Sequence, residues 1–130
     1  MDAAKKKVLL IEDDEAMLDA LYDTFSGVGF NVYKTRDGKE GLSSAFSEKP
    51  DVVILDLLMP KMDGTVLMER LREDDWGKEV PVIVLTNVNP EKNDILDGVI
   101  TYKPAYYLVK SDVSLETIVS KVKELLGIQD

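Results

Sequence analysis

Apolar and polar positions along this chain follow two alternating rhythms. Val8-Leu9-Leu10-Ile11, Val52-Val53-Ile54-Leu55 and Val82-Ile83-Val84-Leu85 are unbroken apolar runs of four, rich in β-branched residues. Such runs suit strands of a parallel sheet covered on both faces. Phe30-Asn31-Val32-Tyr33 mixes polar and apolar residues, as an edge strand does, and Tyr106-Tyr107-Leu108-Val109 reads as a fifth strand. Between these runs the period becomes helical. Met17, Leu18, Leu21 and Phe25 share one face, ended by Gly27 and Gly29. Asp37 with Glu40 three residues on opens a second helix, with Leu42, Ala45 and Phe46 inward and Pro50 beyond its end. Val66, Leu67 and Leu71 mark a third helix, and Asn89 before Pro90 starts a fourth. Leu115, Ile118, Val119, Val122, Leu125 and Leu126 stripe the last.

The pattern is five βα units with no linker, repeat or low-complexity segment between them. Right-handed crossovers turn such units into an open α/β sheet with helices on both faces. Ligand sites in these folds lie at the carboxyl ends of the strands, near the point where strand order reverses. A length of 130 residues allows one domain with one core, so residues 1–130 are expected to form a single domain. No apolar run approaches the roughly 18 residues that span a bilayer. The start, Met-Asp-Ala-Ala-Lys-Lys-Lys, leads into an apolar stretch too brief for a secretory signal core. A cytoplasmic protein with no membrane association is expected.

Composition narrows the chemistry. The chain has no cysteine and no histidine, which excludes disulfides, thiolate metal sites and the usual general base. Any chemistry must run on carboxylates, hydroxyls and lysines. The net charge of −9 argues against direct nucleic-acid binding by this domain, which would need a basic patch. The same acidity leaves room for basic protein partners or divalent cations, and solubility alone accounts for it equally well.

The strand ends carry those groups. The first strand runs into Glu12-Asp13-Asp14-Glu15, the third into Asp56, the fourth into Thr86 and the fifth into Lys110. Each has a plain alternative: Asp14 as a helix cap, Glu15 as a favourable first-turn charge, Thr86 as a turn residue, Asp56 and Lys110 as solvated charges. Convergence of four strand ends on one place favours a common site. Two carboxylates a few ångströms apart repel by about 4 kcal/mol at an effective dielectric near 20. A divalent cation is the simplest compensation, and oxygen ligands alone favour magnesium or manganese over zinc. A carboxylate can attack a phosphoryl group and hold it as an acyl phosphate. A cation and a lysine offset charge on the phosphoryl oxygens in flight, and a threonine hydroxyl can donate to one of them. No general base is needed, because the nucleophile is already ionised at neutral pH.

Asp56-Leu57-Leu58-Met59-Pro60-Lys61-Met62-Asp63-Gly64 resembles the D-x-x-M-P-x-M-D-G segment of bacterial response-regulator receiver domains. Val8 to Glu15 resembles the first strand and acidic pair of that family, and Val84-Leu85-Thr86 and Tyr107-Leu108-Val109-Lys110 match its other two anchors. The likeness covers nearly the whole chain, in the family's order and close to its spacing. It implies a doubly wound, flavodoxin-like (βα)5 fold with strand order 2-1-3-4-5. It implies Asp56 as phosphoacceptor in two-component signalling, with Glu12, Asp13, Asp56 and the backbone carbonyl of Leu58 around magnesium, Asp13 as a direct ligand and Glu12 acting through water. A one-residue slip would instead pair Asp13 with Asp14. Thr86 and Lys110 would bind the phosphoryl group, and Tyr107 would be the aromatic switch. The implied partners are a sensor histidine kinase or phosphotransfer protein and a downstream protein. A monomer or a phosphorylation-dependent dimer fits the family. Beyond promoting its own phosphorylation and dephosphorylation such a domain is not an enzyme. The chain ends soon after the fifth helix, leaving no room for a DNA-binding output domain within it, and a piece of a longer regulator would read the same.

Three features depart from the pattern. Ser111 follows Lys110 where many receivers have proline, Asn87 follows Thr86 where most have a small residue, and Gly98-Val99-Ile100-Thr101-Tyr102-Lys103-Pro104 is unlike the usual helix end. A short or irregular fourth helix is expected from Gly98, the β-branched residues and Pro104. Leu58 and Val88, both apolar, cannot orient an attacking water, so a long-lived phosphorylated state is expected. Tyr102, Tyr106 and Tyr107 offer aromatic area for partners on the output face. Three competing classes remain: a flavin module, for which an acidic first loop is wrong; an aspartate-dependent phosphatase, whose second aspartate is here Leu58; and a receiver-like surface that has lost phosphorylation.

Overall fold

A computed structural model describes residues 6–59, 61–87 and 95–128. The expected helix start at Asn89-Pro90 and the apolar Val88 lie outside the described residues. Five strands, β1 (Lys7–Ile11), β2 (Asn31–Thr35), β3 (Val52–Leu55), β4 (Val82–Thr86) and β5 (Tyr106–Val109), form one sheet in the order β2-β1-β3-β4-β5. All neighbours are parallel. The connections carry α1 (Glu15–Val28), α2 (Gly38–Glu48), α3 (Gly64–Glu73) and α4 (Ile95–Thr101), and α5 (Leu115–Leu126) follows β5. The expected strand order and helical connections are those observed.

The continuous apolar runs are explained by the two layers they serve. Val8, Leu10, Val52, Ile54, Ile83 and Leu85 face Leu18, Leu21 and Phe25 of α1 and Ile118, Val119 and Val122 of α5. Their alternates, Leu9, Ile11, Val53, Leu55, Val82 and Val84, face Ala45 of α2, Leu67, Met68 and Leu71 of α3, and Val99 of α4. Each residue of these three apolar runs is therefore buried whichever way its side chain points. At the edge, β2 buries only Thr35 fully, as its mixed composition predicted.

Helix boundaries follow local chemistry. Asp14, Asp37, Asp63 and Ser114 accept hydrogen bonds from first-turn amides as N-caps of α1, α2, α3 and α5. Gly29, with φ 114°, closes α1 in the left-handed conformation, while Gly27 lies within the helix. One inward assignment is corrected. Phe46 points outward at 37% exposure and meets Trp76 edge-on, with centroids 6.5 Å apart. The reason is that α2 approaches the sheet through small residues: a Cβ on Gly41 would lie 2.7 Å from Ile11 Cδ1. Val66 is likewise at the surface, because α3 buries Gly64, Leu67, Met68 and Leu71 instead. Within the described residues α4 begins at Ile95 and stops at Thr101. Lys103 then takes φ 54° immediately before Pro104.

Arg72, near the end of α3, ties this region together. Its Nε donates to Tyr102 O at 2.8 Å, Nη1 to Gly77 O at 2.7 Å and Val80 O at 2.6 Å, and Nη2 to Lys103 O at 3.2 Å. Burial lowers its pKa from the ordinary guanidinium value, and Glu79 opposes that shift. Nearby, the Tyr102 hydroxyl donates to Glu69 Oε2 at 3.0 Å. One side chain thus fastens the loops before β4 and β5 to α3. Replacing Arg72 by Met keeps the apolar stem but leaves four carbonyls short of a donor, an expected loss of about 2 kcal/mol. Urea unfolding followed by circular dichroism measures it. An unchanged midpoint would show that water replaces the guanidinium without loss.

Candidate functional site

Sheet register brings the acidic residues together. Ile11 pairs with Leu55, so the next residue of each strand leaves the sheet at the same level. The backbone continues the ladder one step further: Asp56 N donates to Ile11 O at 3.0 Å and Glu12 N to Thr35 O at 3.1 Å. On the other flank Thr86 pairs with Val109, which places Lys110 one residue beyond the end of β5.

Lys110 reaches back to the centre of this edge. Its ammonium donates to Glu12 Oε1 at 2.7 Å and to Asp56 Oδ2 at 3.2 Å. Glu12 and Asp56 are both buried, whereas Asp13 is exposed. One oxygen from each of Glu12, Asp13 and Asp56 lies within 4.8 Å of the others. Asp14 is not part of this group. It is exposed and caps α1 through Met17 N at 3.3 Å, while its own amide donates to Glu12 Oε2 at 3.1 Å. The carboxylates grouped with Asp56 are therefore those of Glu12 and Asp13. Glu15 points away and meets Arg36 at 3.4 Å.

Three carboxylates and one ammonium leave this cluster formally two charges negative, and the electrostatics reflect it. Burial pushes the Glu12 carboxyl up to about 7, with the charge of Asp56 adding to it and Lys110 and the Asp14 amide opposing it. Burial opposes the charge on Lys110, but its bonds to Glu12 and Asp56 outweigh that and hold its pKa above the ordinary lysine value. The donor set, oxygen only and partly open through Asp13, fits a hard divalent cation.

The other expected residues lie around this centre. Leu58 N donates to Asp56 Oδ1 at 3.3 Å, and the Leu58 side chain is 54% exposed. Thr86 is buried at the last position of β4. Tyr107 is half-buried, pairs with Val84 and packs against the second core layer. Burial, aided by the charge of Asp56, raises its phenol pKa above the ordinary value. No cis peptide bond occurs among the described residues, and Ser111 continues from Lys110 as a 3-10 turn over Lys110–Asp112. Gly64 entered the sequence reading only as part of a motif, and the structure supplies its reason. Its amide donates to Leu57 O at 2.9 Å, and a Cβ there would lie 2.7 Å from Leu57 Cα and 2.9 Å from Asp56 O.

Comparison with known proteins agrees with this arrangement. Residues 8–123 match the response regulator receiver domain family. The chain is 32% identical over 120 residues to the DNA-binding dual master transcriptional regulator RpaA of Synechocystis sp., covering 92% of this chain and 48% of that protein. Among solved structures it is similar to the chemotaxis response regulator CheY4 of Vibrio cholerae, with a TM-score of 0.82 and 27% identity over 92% of this chain and 98% of that one. The receiver domain of the Francisella response regulator 1452 superposes with a TM-score of 0.83 at 28% identity, covering 95% and 98%. The chain spans about half the length of the first curated relatives it matches.

The buried glutamate predicts a pH dependence. Raising the Glu12 pKa from 4.5 to about 7 means the folded state binds more protons than the unfolded state between those values. Its contribution to stability therefore falls as pH rises through that window. In chelator, thermal melts across this range should show the parent losing stability relative to Glu12→Gln as pH rises. A constant difference between the two would show that Glu12 ionises normally.

Proposed function

Because the chain belongs to the response regulator receiver domain family, we propose that residues 1–130 form a single receiver that is phosphorylated on Asp56 and signals by protein contact. The observation that carries this reading is the buried Asp56 carboxylate at a strand end, 3.2 Å from Lys110 and grouped with Glu12 and Asp13. It is the one carboxylate of the cluster that lies on the central strand side, next to both Lys110 and the loop amide of Leu58.

In this reading Asp56 attacks the phosphorus of a phosphohistidine on a sensor kinase or phosphotransfer protein. A bond forms from Asp56 to phosphorus, the phosphorus–nitrogen bond breaks, and the imidazole nitrogen leaves with the electron pair. Glu12, Asp13, Asp56 and the Leu58 carbonyl would hold magnesium, with manganese as the alternative, which supplies positive charge to the phosphoryl oxygens. Lys110 exchanges its contact with Asp56 for one with a phosphoryl oxygen, and Thr86 donates its hydroxyl to another. The domain promotes its own phosphorylation and dephosphorylation and turns over no separate substrate. The exposed apolar Leu58 cannot orient a hydrolytic water, which favours a long-lived acyl phosphate.

The consequence is a new charge of about −1.5 to −2 beside β4 and β5. Thr86 is drawn inward, Tyr107 turns into the vacated space, and α4, β5 and α5 change their outer surface. That face is where a downstream protein binds or a second phosphorylated copy pairs with the chain. RpaA is described as DNA-binding, and this chain matches about half of its length. The net charge of −9 supports a signalling rather than a nucleic-acid-contacting role for the present domain, and a cytoplasmic setting is part of the same reading. No helix among the described residues is long and apolar enough to cross a membrane.

Incubation with acetyl phosphate and magnesium is expected to add one phosphoryl mass to the intact protein, and Asp56→Asn to abolish it. A full adduct on that variant would overturn the assignment. Amide NMR spectra with and without beryllofluoride, an acyl-phosphate mimic, test the output face. Shifts are expected through residues 87–109, and shifts limited to Asp56 and its immediate loop would rule that face out.

A further inference from the structure

The loop that follows Asp56 is braced from outside by the start of α2. On its inner side Gly64 closes the loop onto Leu57. On its outer side the backbone of Gly38 lies directly against Met62: a Cβ on Gly38 would run into Met62 O and come within 2.8 Å of Met62 Cβ. The next residue back, Lys61, adopts φ 70°, a left-handed conformation unfavourable for a lysine. Its ammonium lies 3.4 Å from Asp37 Oδ2, and the other Asp37 oxygen caps α2 by accepting from Glu40 N at 2.8 Å.

Magnitudes decide which of these contacts matters. The Lys61 side chain is 66% exposed, and an ion pair so open to solvent contributes little. The contact between Gly38 and Met62 is steric and cannot be screened. Glycine also disfavours the helix in which Gly38 sits, and its φ is not in the left-handed region, so α2 itself gives no reason for glycine there. The reason lies across the gap, in the loop.

We infer that Gly38 is a positioning residue: by letting Met62 seat against α2, it fixes the loop that carries Leu58 and thereby the geometry around Asp56. This rests on the proposed reading of Leu58 as a magnesium ligand. Adding one methyl group at Gly38 should push Met62 outward and carry the Leu58 backbone with it. The remote site residues Glu12 and Lys110, on other strands, should keep their mutual contact.

The test uses the intact chain, with amide NMR spectra recorded first in chelator and then through a magnesium titration. In Gly38→Ala, metal-free shifts are expected in Leu57, Leu58, Met59 and Met62, with α1 and β2 unmoved. Magnesium affinity should fall about fivefold, equivalent to about 1 kcal/mol. A purely structural role would instead lower the melting temperature and leave magnesium affinity within twofold of the parent, and that result would overturn the inference. If Gly38→Ala fails to fold, Met62→Gly removes the Cβ that seats against Gly38. Shifts at Leu57, Leu58 and Met59 with weaker magnesium binding are expected, and unchanged binding would again overturn the inference. A parent that does not respond to magnesium would overturn the metal reading alone, because the metal-free loop shifts still report whether Gly38 positions the loop.

Discussion

The ammonium of Lys110 between Glu12 and Asp56 is the interaction on which the rest of this site depends. Two buried carboxylates side by side would repel by several kcal/mol in the absence of a cation. Lys110 removes much of that repulsion at 2.7 and 3.2 Å, yet with Asp13 nearby the cluster remains formally two charges negative. Burial shifts the Glu12 pKa upward, and the charge of Asp56 adds to that shift. A cluster so charged, with oxygen donors only, is poised for a hard divalent cation.

That poise is possible only because the surrounding sheet is stiff. Leu9, Leu10, Leu55 and Val84 are fully buried, and the two core layers clamp β1 and β3 from both faces. Strands so held deliver Glu12 and Asp56 at one level.

Close backbone approach recurs where loops meet the frame. Gly41 lets α2 lie on Ile11, Gly64 lets α3 begin against Asp56 and Leu57, and Gly38 lets Met62 lean on α2. At the opposite end of the molecule Arg72 performs the corresponding task with hydrogen bonds, gathering carbonyls from two loops onto α3. Both devices limit the freedom of segments that are otherwise irregular.

Much of this was legible in the sequence. Unbroken β-branched runs can be buried only in a doubly covered sheet, so the strands, their parallel order and the identity of the residues at their ends followed from periodicity and family likeness. Asp37 and Asp14 were recognisable as caps because capping depends on neighbours within three residues. Other features depended on contacts between distant segments. Phe46 has the right helical phase to be buried, but Gly41 against Ile11 brings α2 too close for a large side chain. That Glu12 and Asp13, rather than Asp13 and Asp14, stand with Asp56 depends on strand register, with Glu12 bonded to Thr35 one step past β1. Arg72 reads as an ordinary last-turn cation, and Gly38 as a neighbour of a cap, until the segments they touch are in place. Local sequence determines periodicity, caps and charge; only the tertiary structure decides distance, and distance is what turned three strand ends into one electrostatic unit.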